Sequence, residues 1–76
     1  MIDLAAIRRA TGLTQTQLAA NLGVGQAQIS KVERQDDMLI STLASYLKAL
    51  GVTASLVVEL GEHTVTYDLT ARRGEP

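Results

Sequence analysis

Three residues, Gly23-Val24-Gly25, constrain this chain more than any other feature of its sequence. They separate two short segments whose apolar residues fall at helical spacing: Leu18, Ala19 and Leu22 before them, Ile29 and Val32 after. A glycine directly behind a periodic run supplies the left-handed residue that closes a helix. With so short a connection the two helices have little freedom and should cross at a large angle. Thr14 predicts the start of the first of them, because a threonine hydroxyl accepts from a free N–H in the opening turn, here of Gln15 to Leu22. The second starts at Gly25 or Gln26 and extends to Arg34.

Around this pair the pattern predicts two more helices. Ile2 to Ala10, with Leu4 and Ile7 three apart, reads as a first helix ended by Gly12. After the acidic loop Gln35-Asp36-Asp37, Ser41 is placed to cap a fourth helix whose Leu43, Tyr46, Leu47 and Leu50 share one face before Gly51 ends it. Beyond Gly51 the period drops to two. Ser55 to Leu60 and Thr64 to Leu69 read as strands joined by a turn at Gly61-Glu62-His63, which is a β-hairpin signal. The fold class is therefore mainly α with a small C-terminal β-hairpin (α+β). One domain is expected over residues 1–76, with a helical part at 2–51, the hairpin at 54–69 and a flexible tail at 70–76.

A chain of 76 residues buries only about 60% of its unfolded surface, so it is marginal as a monomer and an oligomer would help. Its lack of cysteine removes disulfides and thiolate metal sites and fits a reducing compartment. The apolar run around Leu56 to Val58 is far too short to span a bilayer, and the N-terminus lacks a signal-peptide layout. The expected location is the cytoplasm, with no membrane partner. A net charge of −1 argues weakly against nucleic acid, yet its distribution is uneven. Residues 1–34 carry Arg8, Arg9, Lys31 and Arg34 against Asp3 and Glu33, whereas six carboxylates face three cations in the remainder. The N-terminal half is the candidate DNA face.

The stretch Leu13-Thr-Gln-Thr-Gln-Leu-Ala-Ala-Asn-Leu-Gly-Val-Gly-Gln-Ala-Gln-Ile-Ser-Lys-Val-Glu33 resembles the lambda-repressor-like (XRE) helix-turn-helix family. The matches are the opening Leu-Thr-Gln, the Gln-Leu-Ala of the second helix, the Leu-Gly-Val turn and the Ile-Ser-Lys-Val-Glu of the third. The resemblance covers about residues 4–51 and implies the family domain trimmed to four helices. Geometry selects a reading face independently: with Ile29 and Val32 inward, Gln26, Ala27, Ser30, Lys31 and Arg34 share the outward side. Gln pairs with adenine through two hydrogen bonds, Lys donates to guanine acceptors and Ala touches a thymine methyl. The resemblance puts the base-reading positions on Gln26, Ala27 and Lys31, with Ser30 nearby. Gln15, opening the second helix, and Arg34, ending the third, are expected to bind phosphate. The resemblance also implies an ion pair between Arg8 and Glu33 that fixes the third helix. Two departures stand out. Gly25 replaces the usual Ser or Thr cap, and Asp36 and Asp37 would repel the DNA backbone.

An isolated two-stranded ribbon is barely stable, so the hairpin must pack on something. Either Leu56, Val58, Val65, Tyr67 and Leu69 lie on the chain's own helices, or the hairpin pairs edge to edge with the same hairpin of a second subunit, giving a homodimer with Leu56, Val57, Val58, Leu60, Val65 and Tyr67 at its interface. The second option supplies the two-fold axis of a palindromic double-stranded DNA operator. A short XRE domain followed by an apolar strand pair resembles the antitoxins of toxin–antitoxin operons, of the HigA and HipB types, which repress their own operon and hold a toxin. A phage-type or metabolic repressor, or an interaction module that has lost DNA binding, are the other readings. Catalysis is not expected, because the chain has one histidine, no cysteine and no carboxylate cluster at helical spacing. His63 reads as a solvated turn residue and Asp36-Asp37 as a solvated acidic loop. Neither a cofactor nor a metal is expected.

Overall fold

The computed structural model describes residues 2–71. Four helices, α1 (Leu4–Ala10), α2 (Gln15–Leu22), α3 (Gln26–Arg34) and α4 (Ile40–Leu50), precede two strands, β1 (Ser55–Leu60) and β2 (His63–Asp68). This is the mainly helical arrangement with a C-terminal hairpin that the change of period predicts.

Side chains set most helix ends. α1 begins at Leu4 rather than Ile2 because the Asp3 carboxylate accepts from the Ala6 N–H at 3.0 Å and fixes the first turn there. At α2, Thr14 Oγ1 accepts from the Gln17 N–H at 3.1 Å while Gln17 Oε1 accepts from the Thr14 N–H at 2.9 Å. This reciprocal pair satisfies two backbone donors at once. Gly23, at φ 71°, closes the helix, and its N–H reaches Ala20 O while that of Val24 reaches Ala19 O. A side chain at that φ would crowd the backbone, so the turn into α3 depends on glycine there. α3 follows from Gly25 without a side-chain cap. At α4 the sequence expectation needs correcting: Leu39, not Ser41, occupies the cap position, and Ser41 lies exposed inside the first turn. Burial of Leu43, Tyr46, Leu47 and Leu50 sets where this helix sits and overrides the local preference of serine for a cap.

The core gathers Leu4 from α1, Leu18 and Ala19 from α2, Ile29 from α3, four residues of α4, and Leu69 from beyond β2. Ile7, Leu13, Leu22, Val24 and Val32 pack partly buried around it. Sealing the inner stripe of every helix on one cluster leaves α3 anchored by Ile29 and its other side open.

β1 and β2 run antiparallel, pairing Ser55 with Asp68 through to Leu60 with His63. The turn is therefore the two residues Gly61-Glu62, and His63 belongs to the strand, which corrects its placement in the turn. Gly61 has φ 62° and no non-glycine residue among those described has positive φ, so the turn is positive then negative. That order, with glycine first, matches the twist of a two-residue hairpin. Leu69 lies just past β2 and is buried; its N–H bonds Ala54 O at 3.0 Å. Thr70 is likewise held, its hydroxyl accepting from the Ala54 N–H and its N–H donating to Asp68 Oδ1. The expected flexible tail thus loses Thr70 to the ordered part, and residues 72–76 lie outside the described residues.

All twelve strand residues are exposed. Of the five residues considered for packing on the chain's own helices, only Leu69 does so, as a member of the helical core; Leu56, Val58, Val65 and Tyr67 stay exposed. The molecule measures 42 × 31 × 21 Å.

Candidate nucleic-acid interface

The open side of α3 carries the residues that the sequence singles out. Gln26, Ala27, Lys31 and Arg34 are exposed and Ser30 is half-buried, whereas Ile29 beneath them is 1% exposed. The sequence reading passed over Gln28, which is exposed on the flank toward α4 and borders a shallow depression with Ala27, Lys31 and Thr42. Its spacing one residue before Ile29 was the available signal. Asp36 and Asp37 are exposed immediately beyond the C-terminal end of the helix.

Behind this face lies a hydrogen-bonded cluster centred on Glu33. Arg8 Nε and Nη2 donate to its two carboxylate oxygens at 2.7 and 3.3 Å, a forked pair joining α1 to α3. The third Arg8 nitrogen donates to Leu13 O at 2.9 Å, which ties in the loop before α2. Tyr46, from α4, lies 3.1 Å from Leu4 O and 2.6 Å from Glu33 Oε2. Its single proton goes to the carboxylate, the nearer and charged acceptor. Gln15 Nε2 donates to Glu33 Oε1 at 2.9 Å, and Gln26 Nε2 in turn donates to Gln15 Oε1 at 2.5 Å. Among the described residues no buried side-chain polar atom lacks a partner.

The electrostatics follow from this geometry. Burial by itself raises the Glu33 carboxyl, but the bonds from Arg8, Tyr46 and Gln15 outweigh it and hold the group below its ordinary value. The hydrogen bond to Glu33 raises Arg8, against a smaller opposing effect of burial. Burial, then the bond to Glu33 and its charge, push the Tyr46 phenol well upward. At neutral pH the cluster therefore holds one carboxylate, one guanidinium and one neutral phenol.

Gln15, expected at phosphate, is half-buried and engaged on both ends of its amide, with one N–H left over. Arg34 is exposed at the last turn of α3. The role of Tyr46 was missed at the sequence level, where it served only as part of an apolar stripe.

The hairpin forms a second surface. Cross-strand pairs Leu56 with Tyr67, Val58 with Val65, and Leu60 with His63 stand on one face; Ser55, Val57, Glu59, Thr64, Thr66 and Asp68 stand on the other. Five of the six expected interface residues thus come together, and Val57 points away from them. The five are between 43% and 61% exposed, a contiguous apolar face with no cover from the chain itself.

Among the described residues no group of three or more His, Cys, Asp or Glu is arranged to hold a metal ion, and no helix is long and apolar enough to cross a membrane.

A helix-turn-helix family model matches residues 4–57. A Mycobacterium tuberculosis protein named as an antitoxin, HigA3, is 45% identical over 71 residues, covering 90% of this chain and 63% of its own length. A second from the same organism, named as antitoxin HigA2, is 37% identical over 62 residues, covering 79% of this chain and 61% of its own length. The chain therefore spans less than two thirds of these relatives. Among solved structures, a DNA-bound antitoxin HigA3 superposes with a TM-score of 0.80 at 41% identity, over 99% of this chain and 97% of that one. A HigA antitoxin described for DNA bending induced by a unique dimerization superposes with a TM-score of 0.76 at 43% identity, over 93% and 92%.

Proposed function

The chain belongs to the helix-turn-helix family, and on that premise we propose that it is a dimeric, sequence-specific DNA-binding repressor, the autoregulating antitoxin of a toxin–antitoxin operon. The observation that carries the reading is the open side of α3: Gln26, Ala27 and Lys31 stand exposed on a helix whose back is sealed by Ile29 and whose end is locked through Glu33. Such a helix enters a major groove with its side chains already aimed. Gln26 and Lys31 read base edges, Ala27 makes an apolar contact and Ser30 sits at the margin. Arg34 and the remaining N–H of Gln15 hold phosphates and fix the register.

The hairpin is the dimerisation element, its apolar face meeting the same face of a second copy. The two-fold axis so generated presents two reading helices to a palindromic operator with half-sites one helical turn, about 34–36 Å, apart. Likeness to proteins named as antitoxins supports this reading over a phage-type or metabolic repressor, and it implies a toxin protein as a further partner and the cytoplasm as the place of action. The function is binding rather than catalysis.

Lys31→Glu tests the reading. The residue is exposed, so the variant keeps its helices by circular dichroism and its dimer by sedimentation, yet loses specific binding to a duplex from the protein's own promoter. Undiminished specific binding would remove α3 from the interface.

A further inference from the structure

We propose that His63 makes the dimer, and with it operator binding, dependent on pH: two copies join through their hairpins only while this side chain is neutral. The inference rests on the reading of the hairpin's apolar face as the dimer contact. His63 opens β2 and pairs directly across from Leu60, which puts it on the face of Leu56, Val58, Val65 and Tyr67 and away from the polar face that carries Glu59 and Asp68. In the single protomer it is exposed, like every other strand residue. Of the side chains on that face, the imidazole is the one whose charge changes between about pH 5 and 8. The face is most open at Tyr67, 61% exposed, and at Leu60, 58% exposed, which lie at opposite ends of the ribbon. A partner that covers the whole face therefore reaches the Leu60 end, and in covering Leu60 it takes the imidazole opposite out of water.

Burial among apolar side chains disfavours the charged form of an imidazole unless a carboxylate is brought against it. Among the described residues no helix covers this face. On the ribbon itself, Glu62 is the neighbour of His63 in the turn and Glu59 stands on the opposite face. The second copy brings the same face, whose titratable members are His63 and Tyr67 and which carries no carboxylate. Two hairpins related by a two-fold axis either set both His63 side chains together or set each against the Leu56 and Tyr67 end of the other. Two like charges meet in the first arrangement and a lone charge is desolvated in the second, so both favour the neutral form. Each dimer that dissociates can take up two protons, one on each freed imidazole. Association is therefore complete at higher pH and lost as pH falls. That direction is opposite to the usual one for a DNA-binding protein, because added positive charge by itself strengthens attraction to phosphate.

The test is sedimentation equilibrium of the full chain at constant ionic strength from about pH 8 down to about pH 5.5, a range in which the Glu33 carboxylate stays ionised. The dimer dissociation constant should rise by roughly tenfold or more across that range, with helical circular dichroism constant. Anisotropy titrations at protein concentrations near that constant should show promoter binding weakening in step. His63→Phe should dimerise at least as tightly as the parent and without pH dependence. His63→Lys, charged throughout, should be monomeric at concentrations where the parent is a dimer. Position 63 lies outside the helical core, so both variants keep their helices. A parent dissociation constant that does not move with pH, or one that moves equally in His63→Phe, overturns the switch, and leaves the hairpin contact standing where Val58→Asp still gives a monomer. A dimer that survives Val58→Asp overturns the contact and the switch together.

Discussion

Removal of the Glu33 carboxylate strands Arg8, whose side chain is 10% exposed and keeps only Leu13 O as a partner. Breaking a buried pair in this way costs about 3–5 kcal/mol, whereas replacing both partners with apolar groups of similar size is much less harmful. Chemical denaturation should therefore show Glu33→Leu far less stable than the parent, with Arg8→Met/Glu33→Leu recovering a large part of the loss. Equal losses in the single and double variants would mean the pair is not desolvated in solution. The same group sets an acid limit. Its folded value lies below the ordinary one near 4.5, so its stabilisation is complete above about that pH and drains away as pH falls through the folded value. A melting series from pH 6 downward should show this loss in the parent and its absence in the double variant. Resemblance made the Arg8–Glu33 pair legible beforehand. The bonds of Glu33 to Gln15 and Tyr46 were not, because partners 18 and 13 residues apart depend on where three helices cross, which no local pattern encodes.

Periodicity carried most of the information about elements. The stripe Leu43, Tyr46, Leu47 and Leu50 and the drop to period two placed α4 and the hairpin without any coordinates. Ends were harder: Ser41 has the chemistry of a cap but sits where packing had already committed the helix, and the positive φ of Gly61 completes the turn at Glu62, one residue before His63. Whether the ribbon packs on its own helices was open from sequence, since alternation gives a face and not its occupant. The fully exposed strands resolve that half of the question and motivate a prediction about the other. Val58→Asp places a charge in the middle of the apolar face, paired across from Val65. Sedimentation should then report a monomer at concentrations where the parent is a dimer, with helical circular dichroism unchanged, since α1 to α4 close their core without that residue. A Val58→Asp protein that remains dimeric would place the two-fold contact elsewhere on the molecule.

For the whole molecule, charge and assembly act together. A net charge of −1 gives little long-range attraction to DNA, and the exposed cations on the reading helix are Lys31 and Arg34, with Asp36 and Asp37 opposing them nearby. On the proposed function one protomer would be a weak reader, and doubling the contacts through the hairpin would bring affinity and selectivity into a useful range. The most direct measurement is a fluorescence-anisotropy titration of a duplex from the protein's own promoter beside a scrambled duplex of equal length, repeated over a range of salt concentrations. With one phosphate-binding cation, Arg34, in each protomer of the proposed dimer, the logarithm of affinity should fall against the logarithm of salt with a slope of about −2, and the promoter duplex should be preferred by roughly a thousandfold or more. Equal binding to both duplexes, or none at concentrations where the protein is dimeric, would contradict the account that α3 reads an operator.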